Sequence, residues 1–210
     1  MFYKKLLLSK PLFVYFCFSI SNTKLMNKKI WNTRFAVLTG IVIAAAFMRL
    51  IPHWPNFTPI AAMALFGGAY FGKRFLAFAI PLAAMFISDL LIGFHDGMIA
   101  VYIAFAITVS IGLFLRKRIN AGTILGASLT SSVIFFLITN FAAWMISPHL
   151  YTANVAGLMN CYTAGLVFFN DGSYGVSFFM NEVMGGLFYN TLFFGAFYFA
   201  SSRIPALARS

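Results

Sequence analysis

RLIPHWPNFTPIAAMALFGGAYFGKR, residues 49–74, sets the reading of the whole chain. An arginine stands at the end of one long apolar run, three prolines interrupt the loop that follows, and a second apolar run carries Gly67-Gly68 near its end. Thr58-Pro59 predicts a helix start: a hydroxyl cap, then proline at the first helical position, where its missing N–H costs nothing. The run from Pro59 to Phe71 has 13 residues. At about 1.5 Å per residue it covers about 20 Å of a hydrocarbon core about 30 Å thick. It is therefore a short span, a span continued by snorkelling Lys73 and Arg74, or a re-entrant segment, and the distribution of charge decides between them.

Working outward, the composition is that of an integral membrane protein. Apolar residues make up 61% of the chain, aromatic residues 19% and charged residues only 9%, whereas about a quarter of the residues of a soluble domain are charged. The 27 phenylalanines suit a lipid-facing surface. A net charge of +11 on a soluble face would suggest nucleic acid, but here the basic residues sit in short clusters between apolar runs, where lipid headgroups are their partners. Cys17 and Cys161 have no metal spacing and imply no disulfide framework.

Six apolar runs follow one another. Phe35–Ile51 is the first and Pro59–Phe71 the second. Phe75–Gly93 is the third, with Pro81 expected to kink it. Met98–Leu115, Thr123–Ile146 and Val176–Ala200 complete the set. Between the fifth and sixth, Asn154–Phe169 is semi-apolar and is expected to lie along the interface or dip into the bundle. Residues 1–33 form an amino-terminal extension that imitates a signal peptide, but with an apolar run too short to span and no clear cleavage site. Met26 reads as an alternative start, so 1–25 are either a misassigned upstream stretch or a functional segment. Residues 34–203 then form one transmembrane domain, and 204–210 a basic tail.

Lysine and arginine alternate along this order. Lys24, Lys28, Lys29 and Arg34 precede the first span; Lys73 and Arg74 separate the second and third; Arg116, Lys117 and Arg118 separate the fourth and fifth; Arg203 and Arg209 follow the sixth. Connections 52–58, 94–97 and 147–175 contain neither residue. The positive-inside rule then places both termini in the cytoplasm of a multi-pass protein of the cell's inner membrane. A re-entrant second segment would put Lys73 and Arg74 outside, so Pro59–Phe71 reads as a short crossing. The expected fold is an all-α bundle of six transmembrane helices.

With that orientation, Arg49, Asp89, Asn140 and Glu182 fall within about 10 Å of the outer boundary. Charges inside spans usually face the bundle and mark a site or pathway. These four, with Asn56, either line an outward polar pocket or include an Arg49–Asp89 or Arg49–Glu182 pair that pins helices together. Trp54 and Trp144 either join an aromatic belt or stack on a flat ligand. His53, His95 and His149 all fall in outer connections and are weak candidates for a transition-metal site, lacking any ligand pair at recognisable spacing. Ala36, Gly40 and Ala44 form a small-residue stripe suited to close helix approach, within the bundle or against a separate subunit. No catalytic or nucleotide-binding signature is present, so neither an enzyme nor a cofactor is expected.

RLIPHWPNFTPIAAMALFGGAYF, SDLLIGFHDG, GLMNCYTAGLVFFN and LFYNTLFFG resemble a family of small, uncharacterised bacterial membrane proteins grouped with the substrate-binding S components of energy-coupling-factor (ECF) transporters. The resemblance covers about residues 35–200. That family commonly has an acidic residue after the glycine near Gly185, where this chain has Gly186; Glu182 supplies an acid one turn earlier. The resemblance implies six helices with both termini inside and a small-residue stripe that docks a transmembrane coupling subunit served by ATPases. It also implies a vitamin-sized ligand or metal near the outer face.

The leading expectation is a membrane-embedded substrate-binding subunit for uptake of a small polar molecule, energised by a separate partner. Its ligand residues are Arg49, His53, Trp54, Asn56, Asp89, Asn140, Trp144 and Glu182, with loops 52–58 and 147–175 as lids. A second expectation is an envelope scaffold protein whose polar groups satisfy one another. A third is a transition-metal uptake subunit, which requires the histidines to meet.

Overall fold

Capping side chains and glycines set the helix limits. The computed structural model describes residues 32–167 and 177–208. The amino-terminal extension through Trp31, with Cys17, Lys24, Lys28 and Lys29, lies outside the described residues, as do 168–176, Arg209 and Ser210. Asn32 opens α1 (Thr33–Met48), its side chain accepting from the Phe35 N–H at 2.8 Å. Next come α2 (Ile60–Tyr70), α3 (Arg74–Ile92), α4 (Met98–Leu115), α5 (Ala121–Ile146), α6 (Val155–Val167) and α7 (Phe178–Arg203), then a 3-10 turn at Pro205–Leu207. Gly93 ends α3 with a φ of 104°, a conformation that glycine adopts without a Cβ penalty. Asn120 and Thr123 begin α5 as a reciprocal capping box, and Ser177 caps α7 by accepting from the Met180 N–H.

All regular structure among the described residues is helical. Four helices, α3, α4, α5 and α7, are long and apolar enough to cross a membrane; α1, α2 and α6 are shorter. Their ends fall within a few residues of the apolar runs read from the sequence. Pro81 sits inside α3, which continues through it. The semi-apolar stretch after the fifth run contains α6, packed against α5 and α7.

The short helix α2 is the centre of the bundle. Every residue from Ile60 to Ala69 is buried, because α1, α3, α4, α5 and α7 all pack around it. A helix that is apolar on every side is what full enclosure requires. Two glycines let its neighbours in: a Cβ on Gly67 would collide with the Pro81 ring of α3, and one on Gly68 would fall 2.8 Å from the Cα of Gly112 on α4. Small residues at such crossings allow backbones to touch where lipid supplies no hydrophobic drive. On another side Phe66 and Tyr70 interlock with α7, with ring centroids 5.4 Å apart for Phe66–Phe194 and 4.5 Å for Tyr70–Phe197.

The start of α2 differs from the sequence expectation. The N-cap is Pro59, without a side-chain bond, and the Thr58 hydroxyl does not cap the helix. The Pro59 carbonyl accepts from Met63 N–H at 2.8 Å, so the first turn opens one residue later, while the Thr58 backbone packs against Gly185 of α7. At the other end Arg116 does the capping. Its Nε donates to the Gly68 carbonyl at 2.8 Å, Nη1 to Gly72 at 2.9 Å and Nη2 to Phe71. Orphan carbonyls at a helix C-terminus attract a cation, and the planar guanidinium serves three at once.

Candidate functional site

Arg49 follows the last turn of α1 and reaches across to α3. Its Nη2 lies 2.7 Å from Asp89 Oδ1, both side chains being less than a tenth exposed. Its Nη1 donates to Ser88 Oγ and, at 3.3 Å, to the Met85 carbonyl. Tyr102 of α4 donates its hydroxyl to Asp89 Oδ2 at 2.8 Å. Each oxygen of the carboxylate thus has a partner, and three helices are tied by one network. Arg49 therefore pairs with Asp89 rather than Glu182.

The Pro52–Thr58 loop docks on the first turns of α7. Asn181 Nδ2 donates to the Pro55 carbonyl at 2.9 Å, and Asn56 Nδ2 to the Phe178 carbonyl at 3.5 Å. A Cβ on Gly185 would lie 3.1 Å from the Phe57 Cα, so the loop backbone rests directly on the helix. Phe57 packs at a tilt against Phe188 and Tyr189, and Trp54 packs edge-on against Phe57. Asn56 holds a φ of 64°, a left-handed conformation that asparagine tolerates better than most residues. Pro52, His53, Trp54 and Phe57 border an open depression of about 490 Å³.

Glu182 lies on α7 between the face that meets this loop and the face that meets α5. It is 4% exposed. No ion pair or side-chain hydrogen bond reaches its carboxyl group among the described residues. Ser132 of α5 donates instead to its backbone carbonyl, at 3.4 Å. One and two turns along the same stripe come Gly186, whose missing side chain makes room for the Ser132 and Ser128 hydroxyls, and Asn190. The α5–α7 contact is thus a second buried polar region, separate from the Arg49 network.

A family model matches residues 29–207, which include every described helix and all of these side chains. The chain belongs to DUF6580, a family of unknown function. No curated protein and no solved structure matches it.

Within this DUF6580 chain the remaining expected site residues fall into separate places. Asn140 turns back to the Phe136 carbonyl of its own helix at 2.9 Å and packs against Gly165 of α6. Trp144 donates from Nε1 to the Thr152 carbonyl at 2.9 Å, which ties α5 to the turn before α6. Neither is bonded to the Arg49 network or to the 52–58 loop. His53, His95 and His149 are exposed on three different connections, and no group of three metal-ligating side chains forms among the described residues. Ala36, Gly40 and Ala44 are exposed on the outer face of α1, and a Cβ on Gly40 would touch nothing within 4 Å. The stripe is thus free of helix packing among the described residues.

Tyr102, Ser128, Ser132, Asn181 and Asn190 were not singled out as site residues by the sequence reading. Tyr102 carries no local signal, being far from Asp89 along the chain. The stripe Glu182, Gly186, Asn190 does carry one: three non-apolar positions at four-residue spacing in a span fall on one face.

Proposed function

We propose that this DUF6580 chain is a membrane-embedded substrate-binding subunit for uptake of a small polar molecule, energised by a separate partner. The observation that carries the reading is Glu182: a buried carboxyl group without a partner among the described residues, next in the chain to Asn181, which holds the docked Pro52–Thr58 loop. An ionisable group inside a span is expensive and marks a functional site by default. A carboxylate there is stabilised when a cation or N–H donors reach it, so the ligand class is a solute presenting an ammonium, guanidinium or amide. Arg49 and Asp89, already bonded to each other and to Ser88 and Tyr102, hold the bundle around that site.

In this reading α1 to α5 and α7 cross the inner membrane with both termini in the cytoplasm, in the manner of an ECF S component. Support comes from the basic connections at Lys73–Arg74 and Arg116–Arg118 against the lysine- and arginine-free loops 52–58 and 94–97. The exposed Ala36, Gly40, Ala44 stripe is the face offered to a coupling subunit. The test is native purification from the membrane with mass spectrometry of what accompanies the chain. A transmembrane subunit with ATPases, and a nitrogenous solute lost on Glu182→Gln, are expected; recovery of the chain with lipid alone, from cells making it at native level, overturns the reading.

A scaffold role without a small ligand draws on one observation, the mutual bonding of Arg49, Asp89, Ser88 and Tyr102. It predicts that Glu182→Gln changes nothing that accompanies the chain.

A further inference from the structure

At the end of the bundle opposite the Pro52–Thr58 loop, α5 and α7 part to leave a cleft of about 530 Å³, floored by Tyr70 of α2. That volume is in the range of small-molecule sites, about 300–1,000 Å³. Its walls are mostly apolar, with Ile124 and Leu125 on one side and Leu187 and Phe194 on the other; Asn120, Thr191 and Tyr198 also line it, and none of the described residues lining it is charged. Two buried polar side chains, Asn190 and Ser128, stand at its floor. Asn190, only 2% exposed, donates from Nδ2 to Ser128 Oγ at 3.0 Å and to the Gly186 carbonyl at 2.8 Å. Its Oδ1 is buried and has no hydrogen-bond partner among the described residues. The Ser128 hydroxyl accepts the Asn190 bond and has its own hydrogen unengaged among the described residues.

A buried amide oxygen without a partner costs about 1–3 kcal/mol, so the floor of the cleft is incomplete without a donor. We propose that this cleft binds a neutral membrane-borne amphiphile with a free hydroxyl, a long-chain alcohol. A small rotation of the Asn190 amide turns Oδ1 to the cleft, where the hydroxyl donates to it and accepts from Ser128, and the chain lies along the Ile124, Leu125, Leu187 and Phe194 walls. The absence of charge in the lining selects against phosphate or ammonium headgroups, which would be desolvated there without a counter-ion. The site lies apart from Glu182 and does not rest on the uptake reading.

Photolabelling of the full chain in nanodiscs with a diazirine-bearing hexadecanol tests this. Label is expected on α5 and α7 at the cleft, displaced by unlabelled hexadecanol but not by hexadecane or hexadecyl phosphate. Asn190→Leu is expected to weaken competition about tenfold, the equivalent of one lost buried hydrogen bond. Because Asn190 also holds the two helices together, Gly195→Phe serves as a second variant. Gly195 lines the cleft and a Cβ there meets nothing within 4 Å, so the ring fills the space without disturbing the helix contact. Gly195→Phe should abolish the label and Gly195→Ala retain it. Label that survives in folded Gly195→Phe, spreads evenly over all lipid-facing helices, or is displaced equally by hexadecane overturns the proposal, leaving a cleft filled by water or by lipid chains without recognition.

Discussion

Gly68 of α2 and Gly112 of α4 meet backbone to backbone, so close that a Cβ on either would lie 2.8 Å from the other's Cα. No side-chain rotation relieves such a contact, because the obstructing atoms belong to a second helix. Gly68→Ala and Gly112→Ala should each lower stability by about 1–3 kcal/mol, the usual cost of overpacking. Gly40→Ala, where nothing lies within 4 Å, should leave stability unchanged or raise it by up to about 1 kcal/mol through helix propensity. Thermal unfolding in detergent, followed by the fraction remaining monodisperse, separates the two cases; equal midpoints for all three variants would mean that the α2–α4 crossing is looser than this.

Arg116 caps α2 through three carbonyls that no other side chain serves among the described residues. Arg116→Ala should destabilise by about 1–3 kcal/mol. Arg116→Lys should recover less than half of that, since an ammonium is a point charge without the planar fork. Full rescue by lysine would reduce the role of Arg116 to its charge alone.

Much of this architecture is legible in the sequence, and the parts that are not have a common cause. The limits of α3, α4 and α5 follow from the lengths of apolar runs and from the residues between them. The central position of α2 does not, since a helix facing lipid on all sides and one facing protein on all sides are equally apolar. Gly67-Gly68 signals a close approach, but not that Gly112 is its partner. Arg116 reads as one of three inward-facing charges because nothing local distinguishes a headgroup contact from a helix cap. The ambiguity over Arg49 is of the same kind: Asp89 and Glu182 are similar acids at similar depth, and only the packing of α1 on α3 selects Asp89.

That pairing makes a further prediction. Breaking a buried pair by removing one partner leaves the other charge uncompensated and costs about 3–5 kcal/mol. Arg49→Met and Asp89→Leu should each incur that cost, while the double variant should lose much less than the sum. Tyr102→Phe should cost about 1.5–3 kcal/mol, the worth of a hydrogen bond to a charged group. A double-mutant cycle on unfolding free energies in detergent measures the coupling, and strict additivity would show that the ion pair contributes nothing.

Asn56 should tolerate glycine and reject β-branched residues. Its φ of 64° costs a branched residue about 1–2 kcal/mol, and the loop it shapes is held to α7 through Asn181 and the Pro55 carbonyl. Asn56→Val should therefore expose the Pro52–Thr58 loop to limited proteolysis while Asn56→Gly leaves it protected. Equal cleavage rates would mean that the loop is not held in this conformation.

The two buried acids should respond in opposite directions to the same chemical change. Asp89→Asn weakens the attraction to Arg49 and disturbs the bond from Tyr102, so it should destabilise the bundle. Glu182→Gln keeps the shape of a side chain that has no partner among the described residues and removes only its capacity for charge. It should leave stability unchanged or raise it, as expected where a protein retains a locally unfavourable group for function. If Glu182 serves a ligand, the same substitution should abolish retention of that ligand, so that stability and binding part company in one variant. Unfolding midpoints of the two variants, with mass spectrometry of small molecules retained by each, provide the comparison; a Glu182→Gln protein as destabilised as Asp89→Asn would identify Glu182 as a structural acid.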